Sequence, residues 1–140
     1  KIDTQDYKLS GAIDDILIRE SDGALAILDG KSKAKIPEAG EGKKYYGAQM
    51  DTYDLIFQKC GLPTAGQAFL WYVCPVSWND ADLAVPSANM VMDQFVQQTD
   101  ASADRAMAQI QGIHEMLMKH PDRTKPPEGG NCEYCTFAGR

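Results

Sequence analysis

The stretch Ala12-Ile13-Asp14-Asp15-Ile16-Leu17-Ile18-Arg19, followed by Ser21-Asp22-Gly23 and then by Ala24-Leu25-Ala26-Ile27-Leu28-Asp29, decides the fold. Branched apolar residues dominate the first run, and a side chain branched at Cβ packs well on a pleated strand surface. Asp-Gly then supplies a tight turn, because glycine tolerates the backbone conformation such turns need. The second run is continuously apolar rather than alternating, so it reads as a strand buried on both faces. Together they make a hairpin, with Asp14 in the middle of its first strand and Asp29 at the end of its second.

Outward from the hairpin, residues 36–42 carry Pro, Gly and Glu and read as a loop. From about residue 44 to 60 the spacing turns helical, with Tyr46, Met50, Tyr53, Leu55, Ile56 and Phe57 on a broad apolar side. Gly61 and Pro63 end that helix. Residues 67–77 form the next strand, which Pro75 makes end, bulge or lie at an edge. Residues 78–89 look irregular, and 90–97 fit either a strand or a short helix. Asp100 or Ser102 caps a last helix that runs to about residue 119, its buried side lined by Ala103, Met107, Ile110, Ile113 and Leu117. The expectation is one mixed α/β (α+β) domain over residues 1–140, a central sheet flanked by helices, ending in a cysteine-containing tail over 121–140.

Composition narrows the function classes. The 140 residues are 44% hydrophobic and 24% charged, which excludes a disordered tail, a collagen-like fibre and a coiled coil. No apolar run approaches the roughly 18 residues needed to cross a bilayer, so no membrane is expected as a partner. Twenty acidic against fourteen basic side chains give a net charge of -6, so bulk charge does not hold this chain on nucleic acid and any DNA binding is local. A start at Lys1, with neither initiator Met nor signal peptide, reads as a domain excised from a larger parent protein, and an oligomer is a further option. Four cysteines are too few and too unevenly spaced for a secreted disulfide scaffold. Cys60 and Cys74 read as buried thiols, and the expected compartment is the reducing cytoplasm.

Chemistry concentrates on the hairpin. An aspartate in an apolar strand is costly without a partner, which singles out Asp14. Side chains two apart on a strand point the same way, so Asp29 and Lys31 share a face, and hairpin pairing can bring Asp14 beside them. Two carboxylates so close repel unless a cation lies between them, and oxygen-only donors suit Mg²⁺. Lys31 can orient or deprotonate a water there. Asp-Gly-Lys is also ordinary strand-end turn chemistry, with Asp14 or Asp15 simply facing solvent. Gln49 and Tyr53 lie four apart on one helix face, a spacing that equally describes a surface Gln and a core Tyr.

Taken together, Gly11-Ala12-Ile13-Asp14, Ile27-Leu28-Asp29-Gly30-Lys31 and Gln49-Met50-Asp51-Thr52-Tyr53 resemble the PD-(D/E)xK nuclease superfamily. The likeness is to its RecB-like branch of phage and CRISPR-associated exonucleases, which carries Gly-x-x-Asp, Asp-x-Lys and Gln-x-x-x-Tyr in this order. The resemblance implies a restriction-endonuclease-like core and phosphodiester hydrolysis, exonuclease more than endonuclease, in recombination, repair or phage replication. It implies that Asp14, Asp29 and the Gly30 carbonyl hold Mg²⁺ or Mn²⁺, and that Lys31 activates or positions the attacking water. Gln49 would orient the lysine or the scissile phosphate, and Tyr53 would support that face or touch DNA. Three departures stand beside it. The family's upstream helix is expected to be missing, since ten residues precede Gly11. Gly30 stands where a bulkier residue is usual. Cys132 and Cys135 look similar to the start of the iron–sulfur pattern of some members, but a cluster needs four thiolates, and a remnant, a zinc half-site or free thiols is preferred.

Residues 31–44 hold Lys31, Lys33, Lys35, Lys43 and Lys44 against Glu38 and Glu41, whereas residues 51–104 hold seven Asp and one Lys. DNA is therefore expected to approach over Lys33, Lys35, Lys43 and Lys44, although a lysine-rich loop is also ordinary solvated surface. His114-Glu115 does not make a zinc-protease motif, because its second His would fall on Met118. Trp71, Tyr72 and Trp78 read as core rather than as base-stacking residues. The alternative function is a non-catalytic domain that keeps the nuclease fold and holds DNA or a protein partner.

Overall fold

The computed structural model describes residues 2–3, 8–77 and 91–119. Strands β1 (Ile2–Asp3) and β2 (Lys8–Leu9) pair antiparallel, a hairpin too short to leave a periodic signal in the sequence. The main sheet has the order β3-β4-β5-β6, formed by β3 (Asp15–Ile18), β4 (Leu25–Ser32), β5 (Thr64–Ser77) and β6 (Val91–Asp100). Helix α1 (Glu41–Lys59) connects β4 to β5, and α2 (Ala103–Lys119) follows β6. The chain divides into two compact units, residues 1–107 and 108–140; the first holds both sheets, α1 and the start of α2. The described part of the second is the remainder of α2, where Ile113, Met116 and Met118 are exposed.

The sheet is mixed. β3 runs antiparallel to β4 and β6 antiparallel to β5, while β4 and β5 are parallel. A parallel pair cannot be joined by a tight turn, and α1 is the crossover that the pairing requires. Residues opposite one another in register share a face, so Ile27, Asp29 and Lys31 lie with Ala68, Leu70 and Tyr72. Ile27, Ala68, Leu70, Tyr72 and Cys74 meet Met50, Tyr53, Ile56 and Phe57 of α1 in one buried core.

Several local expectations are corrected. The first strand is four residues long, each of them exposed, and Asp14 stands just before it rather than in its middle. The second strand runs on through Asp29-Gly30-Lys31 to Ser32, because β5 pairs with it over that length. Helix α1 begins at Glu41, inside the segment read as a loop. Glu41 closes the turn by accepting Glu38 N–H at 2.8 Å, and the Gln97 side chain accepts Gly42 N–H at 3.2 Å. The first bond ties the preceding turn to the helix, and the second supplies a partner for an amide that an isolated helix start would leave open. The segment read as strand or short helix is strand from Val91, extended to Asp100 by pairing with β5. Ser102, not Asp100, caps α2, its hydroxyl accepting Arg105 N–H at 3.4 Å. Ala103 and Ala106 are buried on α2, but Ile113 is exposed, and the side chain of Leu117 lies outside the described residues. Cys60 is exposed at the end of α1, while Cys74 is buried as expected. Trp71 is exposed on the sheet face away from α1, its indole N–H donating to Gln94 at 3.1 Å. Trp78, Cys132 and Cys135 lie outside the described residues.

Gly42 sits where the first turn of α1 touches the sheet. A Cβ there would come within 2.5 Å of Leu70 Cδ1 and 2.9 Å of Gln97 Oε1. In an open helix Gly→Ala gains about 0.5–1 kcal/mol. Against this packed surface Gly42→Ala is expected instead to cost about 1–3 kcal/mol, seen as a lower urea midpoint at unchanged slope.

Candidate active site

Strand period two sets Asp29 and Lys31 on the α1 side of β4, and the helix closes over them. The Lys31 ammonium lies 2.5 Å from Asp29 Oδ2 and 3.4 Å from Gln49 Oε1. Gln49 Nε2 donates to Asp29 Oδ1 at 3.3 Å and to Tyr53 Oη at 2.9 Å. Chemistry fixes the orientation of that amide, since only its carbonyl can accept from an ammonium and only its NH₂ can donate to a carboxylate. Asp29 is 3% exposed, and its Oδ2 accepts no hydrogen bond among the described residues; the lysine meets it as a charge contact. Tyr46, three residues before Gln49, presents its ring 4.6 Å from the Lys31 ammonium.

Asp14 approaches from the neighbouring strand. The ladder Asp15↔Leu28, Ile16↔Ile27 puts residue 14 opposite residue 29 when carried one step further. The Asp14 carboxylate is exposed, and its Oδ2 accepts Gly30 N–H at 2.9 Å. That bond ties the start of β3 to the end of β4 beside Asp29. Gly11 serves the same junction: a Cβ there would meet Tyr53 Cε1 at 2.6 Å, so only glycine lets the chain pass the ring. Among the described residues, no group of three or more His, Cys, Asp or Glu is gathered to hold a metal, and the acid set here is Asp14 with Asp29.

The four outer lysines do not converge on this centre as free charges. Lys33 pairs with Glu41, which holds the Glu41 carboxyl below its ordinary range and raises the lysine. Lys43 pairs with Asp100 at 2.6 Å, and Lys44 lies 5.2 Å from the ring of the exposed Tyr45. Lys35 is exposed. A second network lies behind Lys43. Arg105 bridges Asp100, at 2.7 Å, to the buried Asp51, which it grips through two bonds of 2.9 and 2.7 Å. Asp51 and Asp54 also accept Ser102 and Ala103 N–H at 2.8 and 3.0 Å, closing the start of α2. Sequence reasoning passed over Tyr46 and Asp51. The signal for Tyr46 was its i, i+3 spacing to Gln49; Asp51 had none, because its partners are some fifty residues away.

A family model described as the PD-(D/E)XK nuclease superfamily matches residues 2–140. No curated protein and no solved structure matches the chain.

Lys43 above all, with Arg105, holds the Asp100 carboxyl down at about 2, against an ordinary 3.8. A carboxyl depressed by folding contributes stability above its unfolded value and loses that contribution as pH falls through the folded one. Stability is therefore expected to drop between about pH 4 and pH 2. Asp100→Asn should flatten that part of the curve in urea titrations at each pH. An unchanged slope would remove Asp100 from the acid transition.

Proposed function

This chain belongs to the PD-(D/E)XK nuclease superfamily, and we propose that it is a metal-dependent DNA nuclease, an exonuclease hydrolysing phosphodiester bonds in recombination, repair or phage replication. The observation that carries this reading is the closed contact of Asp29, Lys31 and Gln49, built from a strand and the helix that covers it. A single nuclease domain with a cysteine-containing tail accommodates it, and the free thiols of Cys60 and Cys74 suit a reducing cytoplasm.

A divalent ion suits these residues. The covered Asp29 Oδ2 accepts no hydrogen bond among the described residues, and the exposed Asp14 carboxylate stands across from it in register. An all-oxygen donor set matches a hard cation that keeps several waters. Asp14, Asp29 and the Gly30 carbonyl would hold Mg²⁺ or Mn²⁺. Such an ion supplies a Lewis acid that polarises the scissile phosphate.

The remaining work falls to the side chains. Lys31 carries a positive charge beside the acids, where it can orient a water for attack and offset charge that builds on the phosphate oxygens. Gln49 holds the lysine through its carbonyl and Asp29 through its amide, so one rotamer sets both groups. Tyr53 Oη accepts the second Gln49 N–H and is itself fixed by burial in the core. DNA would approach over the side carrying Lys33, Lys35, Lys43 and Lys44. Since Lys33 and Lys43 already pair with carboxylates, their attraction for phosphate is weaker than a count of charges implies.

The test is digestion of linear and circular DNA, single- and double-stranded, with Mg²⁺ or Mn²⁺ and with a chelator. Linear DNA is expected to be degraded from its ends only when metal is present. Asp29→Asn and Lys31→Met should each lower the rate about 100-fold or more. Undiminished cleavage by both variants would reject the site, and wild-type binding without cleavage would favour the non-catalytic alternative.

A further inference from the structure

Lysine is a compact charge on a flexible four-carbon stem, with no planar fork to set its direction. Whatever fixes the ammonium of Lys31 must therefore surround it. Asp29 and Gln49 do so through oxygen atoms at 2.5 and 3.4 Å. The third group is Tyr46, whose ring centre lies 4.6 Å from the same nitrogen, inside the range in which an aromatic face attracts a cation. Residues 46, 49 and 53 fall at i, i+3 and i+7 on α1, one face of the helix, so the ring, the amide and the phenol form a single row above β4. Tyr46 is half-buried and packs against the core, which limits its freedom to swing away.

We propose that Tyr46 is a positioning residue of this site, its ring face holding the Lys31 ammonium between Asp29 and Gln49. The inference rests on the nuclease reading for its consequence in catalysis, but not for its geometry. The chemical reason for an aromatic ring here is specific. A divalent ion on Asp29 would repel the lysine and compete with it for the carboxylate, leaving Gln49 as its one oxygen partner among the described residues. A leucine of similar bulk would fill the space without attracting charge. The negative face of a phenol ring attracts the ammonium without offering an oxygen that the ion could take instead. Tyr46 thus keeps the lysine at the reaction centre when its carboxylate partner is shared.

Two measurements decide it. In the metal-free 140-residue chain, the Cε protons of Lys31 should resonate upfield of those of other lysines, because an aromatic ring current acts on groups above its face. Tyr46→Leu should abolish that shift and Tyr46→Phe should retain it. In DNA cleavage, Tyr46→Phe should remain active, and phenylalanines of increasing fluorination at position 46 should lower kcat stepwise by about 3- to 30-fold in total. KM and the melting temperature should stay constant across that series, since fluorination cancels the quadrupole while nearly preserving shape. A purely structural ring would not produce the stepwise loss. Absence of the upfield shift in the wild type, or a flat kcat across the fluorinated series, overturns the proposal. A wild type that shows the shift but cleaves no DNA sinks the nuclease reading and leaves the placement of Lys31 by Tyr46 standing.

Discussion

A carboxylate that is 3% exposed has to be answered by a cation, and Asp29 is answered from its own strand. Two residues apart on a pleated chain means one face, so the spacing Asp29-Gly30-Lys31 sets acid and base side by side before any tertiary contact forms. The pair also has a roof. α1 lies over it and supplies Gln49 and Tyr46, while β5 closes the flank with Leu70 and Tyr72 in register with Asp29 and Lys31. Tyr72 is fully buried, with its hydroxyl pushed up to about 12 by that burial, so it remains a neutral wall at physiological pH. In such a setting charge interactions are far stronger than in water. Buried ion pairs nonetheless add little to stability compared with apolar packing of the same volume. Under the proposed function, their presence at the end of a core strand serves chemistry rather than folding.

The same helix faces two ways. Tyr46, Gln49 and Tyr53 look toward β4, while Asp51 and Asp54 look toward the start of α2. Each of those two acids replaces water at backbone amides that would otherwise be open, and Asp51 also takes both arms of Arg105. Removing Asp54 would leave the buried Ala103 N–H without this partner, which costs more than the bond itself contributes, and removing Asp51 would open the part-buried Ser102 N–H and both arms of Arg105. The position of α1 over the acid–lysine pair is thus set from both sides, by core packing against β4 and β5 and by polar bonds to residues 102–105. Asp100 extends this second network to Lys43, drawing one of the basic side chains of the 31–44 segment into an internal pair. The electrostatics of the lysine-bearing 31–44 segment are consequently shaped by residues far along the chain.

Much of this was legible in the amino-acid order because it is local. The Asp-Gly turn, the strand on each side of it, the helical spacing of the 44–60 segment and the irregularity at Pro75, where β5 shifts register against β6, all rest on backbone preferences that act within a few residues. The errors have a common cause. The ends of β3, β4 and α1 and the exposure of Cys60 depend on which neighbour supplies hydrogen bonds or cover, as does the choice of strand over helix for β6, and those neighbours are distant in sequence. β4 extends past Leu28 because β5 lies beside it, and α1 begins early because Gln97, fifty-five residues away, reaches its second amide.

The order of residues alone puts Asp29 on one face with Lys31 and Gln49 on one with Tyr53, and it allows a hairpin to bring Asp14 to the same corner. Those statements follow from periods of two and of about four, which are properties of the backbone alone. Only the tertiary structure decided that the helix row lies over the strand row. It also decided that Tyr46 joins it, and that Lys33 and Lys43 are held by Glu41 and Asp100. The physical reason is that a parallel β4–β5 pair needs a crossover, and where that crossover lands is set by side-chain volume and buried polar partners, not by any local rule.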